Sequence, residues 1–226
     1  MSFHNNEPHT GDLAGRLNWL RAGVLGANDG IVSVAAIVVG VAGATSSVAP
    51  LITAGVAGLV GGAISMALGE YVSVSSQSDS QRALIEKERR ELAEMPDEEL
   101  AELAAIYESK GISAATAQQV AEELTRHDAL SAHLEAELGI TERDVVSPWQ
   151  AAGASALAFT IGGVLPLAAI LLAPEPIRVL ATFIAVLSAL VVTGALSARV
   201  GGNSWVRPTL RIVIGGALAL ATTFLI

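Results

Sequence analysis

Hydrophobic and polar positions along this chain separate into long apolar runs and one long charged run. The apolar runs extend from about Asn18 to Ala44, Leu51 to Val74, Trp149 to Leu172, Ile177 to Ala198 and Arg207 to Ile226. A bilayer core takes about 20 residues of helix, so each run reads as a spanning helix. The last is the least regular, because Arg207, Pro208 and Arg211 interrupt its start. Between the second and third runs the character inverts: Ser75 to Val146 holds seventeen of the 22 acidic residues and seven of the 13 basic ones, a net charge of −10. The pattern predicts an all-α integral membrane protein with five transmembrane helices and a three-helix acidic insert. Its expected divisions are a tail over 1–15, spans one and two over 16–74, the insert over 75–146 and spans three to five over 147–226.

The insert carries its own helix signals. SDSQRALIEKERRELAEM runs on from the second span and stops at Pro96, as a helix entering water would. PDEELAELAAIYESKG opens with proline and acids and closes at Gly111, while the third segment closes at Gly139 with a break expected near Arg126 and His127. Three short helices make a small domain that needs a partner to bury its apolar faces.

Composition narrows the function. At 52% hydrophobic residues, mean hydropathy +0.55 and 15% charged residues, the chain is too apolar for an ordinary soluble domain. The absence of cysteine excludes disulfides, thiolate metal sites and cysteine nucleophiles, and a net charge of −9 argues against nucleic acid. No cleavable signal peptide is expected, since the first fifteen residues lack an apolar core. Arg16, Arg21, the insert's basic residues, Arg199, Arg207 and Arg211 fall on one side of the membrane and Arg178 on the other. That asymmetry puts the N-terminus and the insert in the cytoplasm, and the alanine-rich, lysine-poor composition points to a bacterial inner membrane.

Several residues carry candidate chemistry. Ala54, Gly58 and Gly62 share one helix face and allow close approach of another helix. Asp29, in the Asn28-Asp29-Gly30 turn signal, is expensive inside a membrane, and reads either as the cap of a broken helix or as a group facing a cavity, a partner or a permeant cation. Met66 and Glu70 lie one helical turn apart; separately they read as a packing residue and an interfacial charge, and with Asp29 as a soft-and-hard ligand set suited to a borderline transition metal. In the insert Glu88 with Glu91, Glu99 with Glu102, and His133 with Glu137 stand at helical spacing. Converging helices would turn these pairs toward a divalent cation, whereas a solvated surface carries the same pattern, with Lys87, Arg89 and Arg90 interleaved. No nucleophile elbow, phosphate loop or HExxH is present, which speaks against an enzyme.

NDGIVS, the string GAISMALGEYVSVSSQSD leading into the acidic insert, and GxxP in the third run together resemble the vacuolar iron transporter family, including its nodulin-like and bacterial members. The resemblance extends from about Arg16 to Ile226. It implies a homodimer in the lipid bilayer that exports ferrous iron, or manganese and other divalent metals, from the cytosol in exchange for protons. By motif, Asp29 and Met66 match the family's membrane path between the first spans of two subunits. Glu88, Glu91, Glu99, Glu102 and Glu137 match the ligands of its cytosolic domain. No permanent cofactor is implied; Fe2+, Mn2+ or Zn2+ is the bound and carried ion. The chain departs from the family pattern at His133 and Leu134, where some members pair two methionines, and at Gly58, where some carry a glutamate. From a different class, the same residues fit a membrane-anchored metal buffer or sensor, although an anchor has no use for Asp29. A ferroxidase-like enzyme is a weaker third reading.

Overall fold

The computed structural model describes residues 13–141, 147–200 and 204–225. Most of the expected tail and the last residues of the expected insert therefore lie outside the described residues. Among the described residues seven α-helices follow one another: α1 Leu13–Ala44, α2 Val48–Glu94, α3 Pro96–Ser109, α4 Ala114–Ala136, α5 Pro148–Leu172, α6 Arg178–Val200 and α7 Val206–Phe224. A single 3-10 turn, Glu175–Ile177, joins α5 to α6, and no strand occurs among the described residues. The chain divides into two compact units, one comprising residues up to Val72 and from Trp149 onward, the other Ser73–Pro148.

Among the described residues, four helices are long and apolar enough to cross a membrane: α1 over Ala22–Ala44, α2, α5, and α6 with its preceding turn. The fifth apolar run forms α7, but Arg207 and Arg211 occupy its first two turns and lower its hydropathy. Its apolar face still joins the core. Ile31, Ala35 and Val39 of α1 are buried with Val186 and Leu190 of α6 and Leu220 of α7. A second cluster takes Val34 and Val38 of α1, Leu51 of α2, and Phe159 and Ile170 of α5. Because both clusters draw on successive turns of α1, that helix is the centre of the unit.

α1 is continuous through Asn28, Asp29 and Gly30, and Gly30 keeps a negative φ. The reading of Asp29 as the cap of a broken helix is thereby corrected. Gly30 answers to packing instead: a Cβ there would run into Phe159 O of α5, one at Gly162 would run into Ala27 O, and one at Gly26 would stand 2.8 Å from Ser155 O. Backbone meets backbone where NDG faces the GxxP region, and any side chain would force the helices apart. Gly58 and Gly62 make no such close backbone approach among the described residues. Gly58 accommodates the Ile37 side chain and Gly62 the Phe159 ring.

α2 is a single helix of 47 residues whose first half is apolar and whose second half is charged. Val48, Ile52, Val56, Val60, Ile64, Leu68 and Val72, four residues apart, form an exposed apolar stripe along its first half. This alignment follows from the near-match of four residues to one helical turn.

Candidate metal centre

The second unit is assembled from the charged half of α2, α3 and α4. α3 begins with Pro96 at its N-terminus and has Asp97, Glu98 and Glu99 in its first turn, where the helix dipole favours carboxylates. It ends in a Schellman arrangement: Ile112 N donates to Tyr107 O, and Gly111 takes φ +93°, a conformation that favours glycine. Ser113 caps α4 through Thr116 N. Within α4, Asp128 is non-helical at φ −163° and ψ 91°, and its Oδ1 accepts from Ser131 N at 3.1 Å. Asp128 therefore ends one helical piece and caps the next, immediately after the break expected at Arg126 and His127. The capped second piece carries His133 and Leu134, both fully buried.

Three helices bring one side chain each to a common point. Glu88 of α2, Glu99 of α3 and His133 of α4 are 3%, 5% and 0% exposed, and one ligand atom from each lies within 4.8 Å of the others. His133 Nδ1 stands 3.0 Å from Glu88 Oε1 and 3.6 Å from Glu99 Oε2. Despite these distances, Glu88 Oε1 and both imidazole nitrogens lack an aligned hydrogen-bond partner. Buried polar atoms are ordinarily satisfied, and leaving one unmade costs about 1–3 kcal/mol. Donor atoms converging without bonding to each other are arranged as ligands around a cation would be.

The electrostatics agree with that arrangement. Burial, reinforced by Glu137, Glu99, Glu91 and Glu102, pushes the Glu88 carboxyl up to about 7. Burial also raises Glu99, with Glu102, Glu91 and Glu137 adding to it and Lys87 opposing. His133 is lowered because burial disfavours its charged form, although Glu137 and Glu102 pull the other way. Near neutrality the site thus holds a neutral imidazole beside a Glu88 carboxyl that resists ionising without a compensating cation.

The helical pairs divide in a regular way. Glu88, Glu99 and His133 point inward, while their partners Glu91, Glu102 and Glu137 lie at the rim, half-buried in the first case and exposed in the other two. Glu91 is held by Lys87, whose Nζ donates to Oε2 at 2.6 Å. That hydrogen bond raises the Lys87 ammonium above its ordinary pKa, and Glu137 and Glu88 add to the effect.

The membrane residues are arranged differently. Asp29 is half-buried and its Oδ1 accepts from Ser33 Oγ at 2.7 Å, within the same NDGIVS string. Its neighbour Asn28 accepts through Oδ1 from Thr193 Oγ1 of α6 at 2.6 Å, a contact between residues 165 apart that no local signal discloses. Met66 packs against the cluster containing Phe159 and Leu51. Glu70 is half-buried and precedes Tyr71, whose ring lies 4.7 Å from that of Trp149 at the start of α5. Such amphipathic rings gather where a bilayer meets water, which places Glu70 near the end of the apolar stretch. Among the described residues, the structure groups three potential histidine or carboxylate ligands only at Glu88, Glu99 and His133.

Comparison with known proteins agrees in extent with this architecture. The model of the VIT family matches residues 20–226. A vacuolar iron transporter of Acanthamoeba castellanii is 41% identical over 97% of this chain and 81% of its own length. Vacuolar iron transporter homolog 2 of Arabidopsis thaliana is 37% identical over 96% of this chain and 87% of its own. Vacuolar iron transporter homolog 5 of Oryza sativa subsp. japonica is 36% identical over 94% and 81%, respectively.

Proposed function

The chain belongs to the VIT family, and from that premise we propose that it carries ferrous iron, with manganese or other divalent metals as further cargo, out of the cytosol in exchange for protons. The relatives named as iron transporters support metal as the cargo. The observation that carries the reading to this chain's own residues is the buried, unsatisfied set Glu88, Glu99 and His133. Two carboxylates and an imidazole suit Fe2+, Mn2+ or Zn2+ better than an all-oxygen ion such as Ca2+. Four long apolar helices supply the bilayer setting, and we assign α7 as the fifth span, with the second unit in the cytoplasm and the chain acting as a homodimer. The membrane we assign is a bacterial inner membrane, on composition.

In this scheme the acidic insert, with its net charge of −10, draws divalent cations from the cytosol. The arriving ion displaces the proton that a buried Glu88 retains near neutrality, and Glu99 and His133 complete its shell. Glu91, Glu102 and Glu137 form the outer carboxylates through which the ion enters and leaves. It then passes Glu70 at the membrane surface and reaches Met66 and Asp29. A proton from the far side neutralises Asp29 after release, so the return step carries no bare charge through the bilayer.

Purified protein in proteoliposomes with an acidic lumen tests this under reducing conditions, with metal accumulation and lumenal pH read together. Fe2+ accumulation accompanied by a rise in lumenal pH is expected. Metal that binds the protein but never enters the lumen would contradict transport and make the chain a membrane-anchored metal buffer.

A further inference from the structure

Lys87 lies in the same turn of α2 as Glu88 and Glu91 but carries the opposite charge. Its Nζ is 2.6 Å from Glu91 Oε2, and the lysine side chain remains 58% exposed against 27% for Glu91. The Lys87 charge is felt by Glu88, Glu91 and Glu137, and it opposes the upward shift of Glu99. Neighbouring cations on α2 engage other groups: Arg89 Nη1 is 3.8 Å from Glu86 Oε2, and Arg90 Nε donates to Glu86 O at 3.4 Å. Lys87 is thus a cation tethered at the rim of the centre, bonded to the outer partner of a buried ligand.

We propose that Lys87 is a built-in competitor for the metal: it occupies Glu91 until a divalent ion displaces it, and so keeps the outer part of the site weak and exchangeable. The proposal rests on the reading of Glu88, Glu99 and His133 as a metal centre and adds the element that controls release. A divalent ion in the inner site repels the ammonium, while the same ion gains from Glu91 once the ammonium swings away. Because an exposed lysine–glutamate pair is weak and its lysine has many rotamers, displacement is easy. A carrier needs this, since an ion held by every available carboxylate would leave slowly. Ammonium suits the role better than guanidinium, whose planar fork holds a carboxylate at two points.

The test is a Mn2+ titration of the full-length protein in detergent, by calorimetry at low and high salt, with dissociation followed after chelator addition. Lys87 is exposed and on a helix surface, so Lys87→Gln preserves the fold. Lys87→Gln is expected to tighten Mn2+ binding about fivefold at low salt, less at high salt, and to slow dissociation by a similar factor. Lys87→Arg is expected to retain weak binding. Unchanged affinity and dissociation in Lys87→Gln, with binding weakened in Glu88→Gln and His133→Leu, would overturn the role of Lys87 alone. Wild-type binding in Glu88→Gln and His133→Leu would remove the metal centre, and the proposal with it.

Discussion

The NDG motif of the first unit and the buried ionisable set of the second are treated in opposite ways. In the membrane unit Asp29 is bonded to Ser33 and Asn28 to Thr193, so both groups of the NDG motif are tied into helix structure. In the second unit Glu88 Oε1 and both nitrogens of His133 are buried with no aligned partner. Hydrocarbon cannot satisfy a polar group, so a carboxylate within a span gains from an internal bond, although Ser155 Oγ and Thr209 Oγ1 of the same unit are buried without one. A domain in water, as proposed for the second unit, is under less constraint and can leave donor atoms unmatched for a cation. On the proposed function, the difference separates a pathway that must stay intact when empty from a binding site that is least stable when empty.

Removing a buried ligand should have the largest effect. Glu88→Gln or His133→Leu is expected to weaken Mn2+ binding by roughly 100-fold, measured by calorimetry, since an inner ligand counts for at least as much as an outer-shell partner. Stability should move the other way. At pH 8 without metal, Glu88→Gln is expected to raise the melting temperature of the second unit by a few degrees, because it removes a buried charge. A metal-free variant no more stable than wild type would mean that the site is not strained by its carboxylate.

Packing mutations sharpen the contrast from the membrane side. Gly30→Ala is expected to destabilise the α1–α5 contact by about 1–3 kcal/mol, because its Cβ meets backbone that has nowhere to move. Metal binding by the second unit should be unaffected, and a parallel loss of Mn2+ affinity in Gly30→Ala would show that the two units are not separable in this sense.

Glu88 makes pH the next lever. Its folded pKa of about 7 lies above the ordinary 4.5, so the folded chain retains a proton that the unfolded chain gives up. Metal-free stability contributed by this group is therefore present at low pH and lost as pH rises from about 4.5 through 7. Metal affinity takes the opposite sign: below about 7 it should fall by about tenfold per pH unit, because each ion must displace the Glu88 proton. Mn2+ titrations from pH 5.5 to 8 check both the slope and the plateau. The smallest effect belongs to Thr193→Val, expected to cost about 0.6 kcal/mol through the lost bond to Asn28, read as a small drop in thermal stability with no change in metal affinity.

Much of this was legible in the sequence, in proportion to how local each determinant is. Pro96, Gly111 and Gly139 were marked by proline and glycine, which act within a few residues, and the break expected near Arg126 and His127 falls at Asp128. The helical spacing exposed the pairs Glu88 with Glu91, Glu99 with Glu102, and His133 with Glu137. It could not say which member of each pair faces inward, because that depends on the rotation of three helices about their own axes. Lys87, which made the insert look like a plain solvated surface, sits on the rim for the same rotational reason. The Asn-Asp-Gly turn signal misled, since Gly30 serves the approach of α5 and not a turn. Thr193 was hidden altogether, as its partner lies 165 residues away.

Central to the proposed function is a divalent ion held by the second unit through an imidazole as well as carboxylates. X-ray absorption at the metal edge, on full-length protein loaded with one equivalent of Fe2+ under anaerobic conditions, reads that shell directly. Oxygen ligands with one imidazole nitrogen are predicted for the wild type, with the imidazole signature absent in His133→Leu. An all-oxygen shell, identical in the two proteins, would contradict the Glu88, Glu99 and His133 centre.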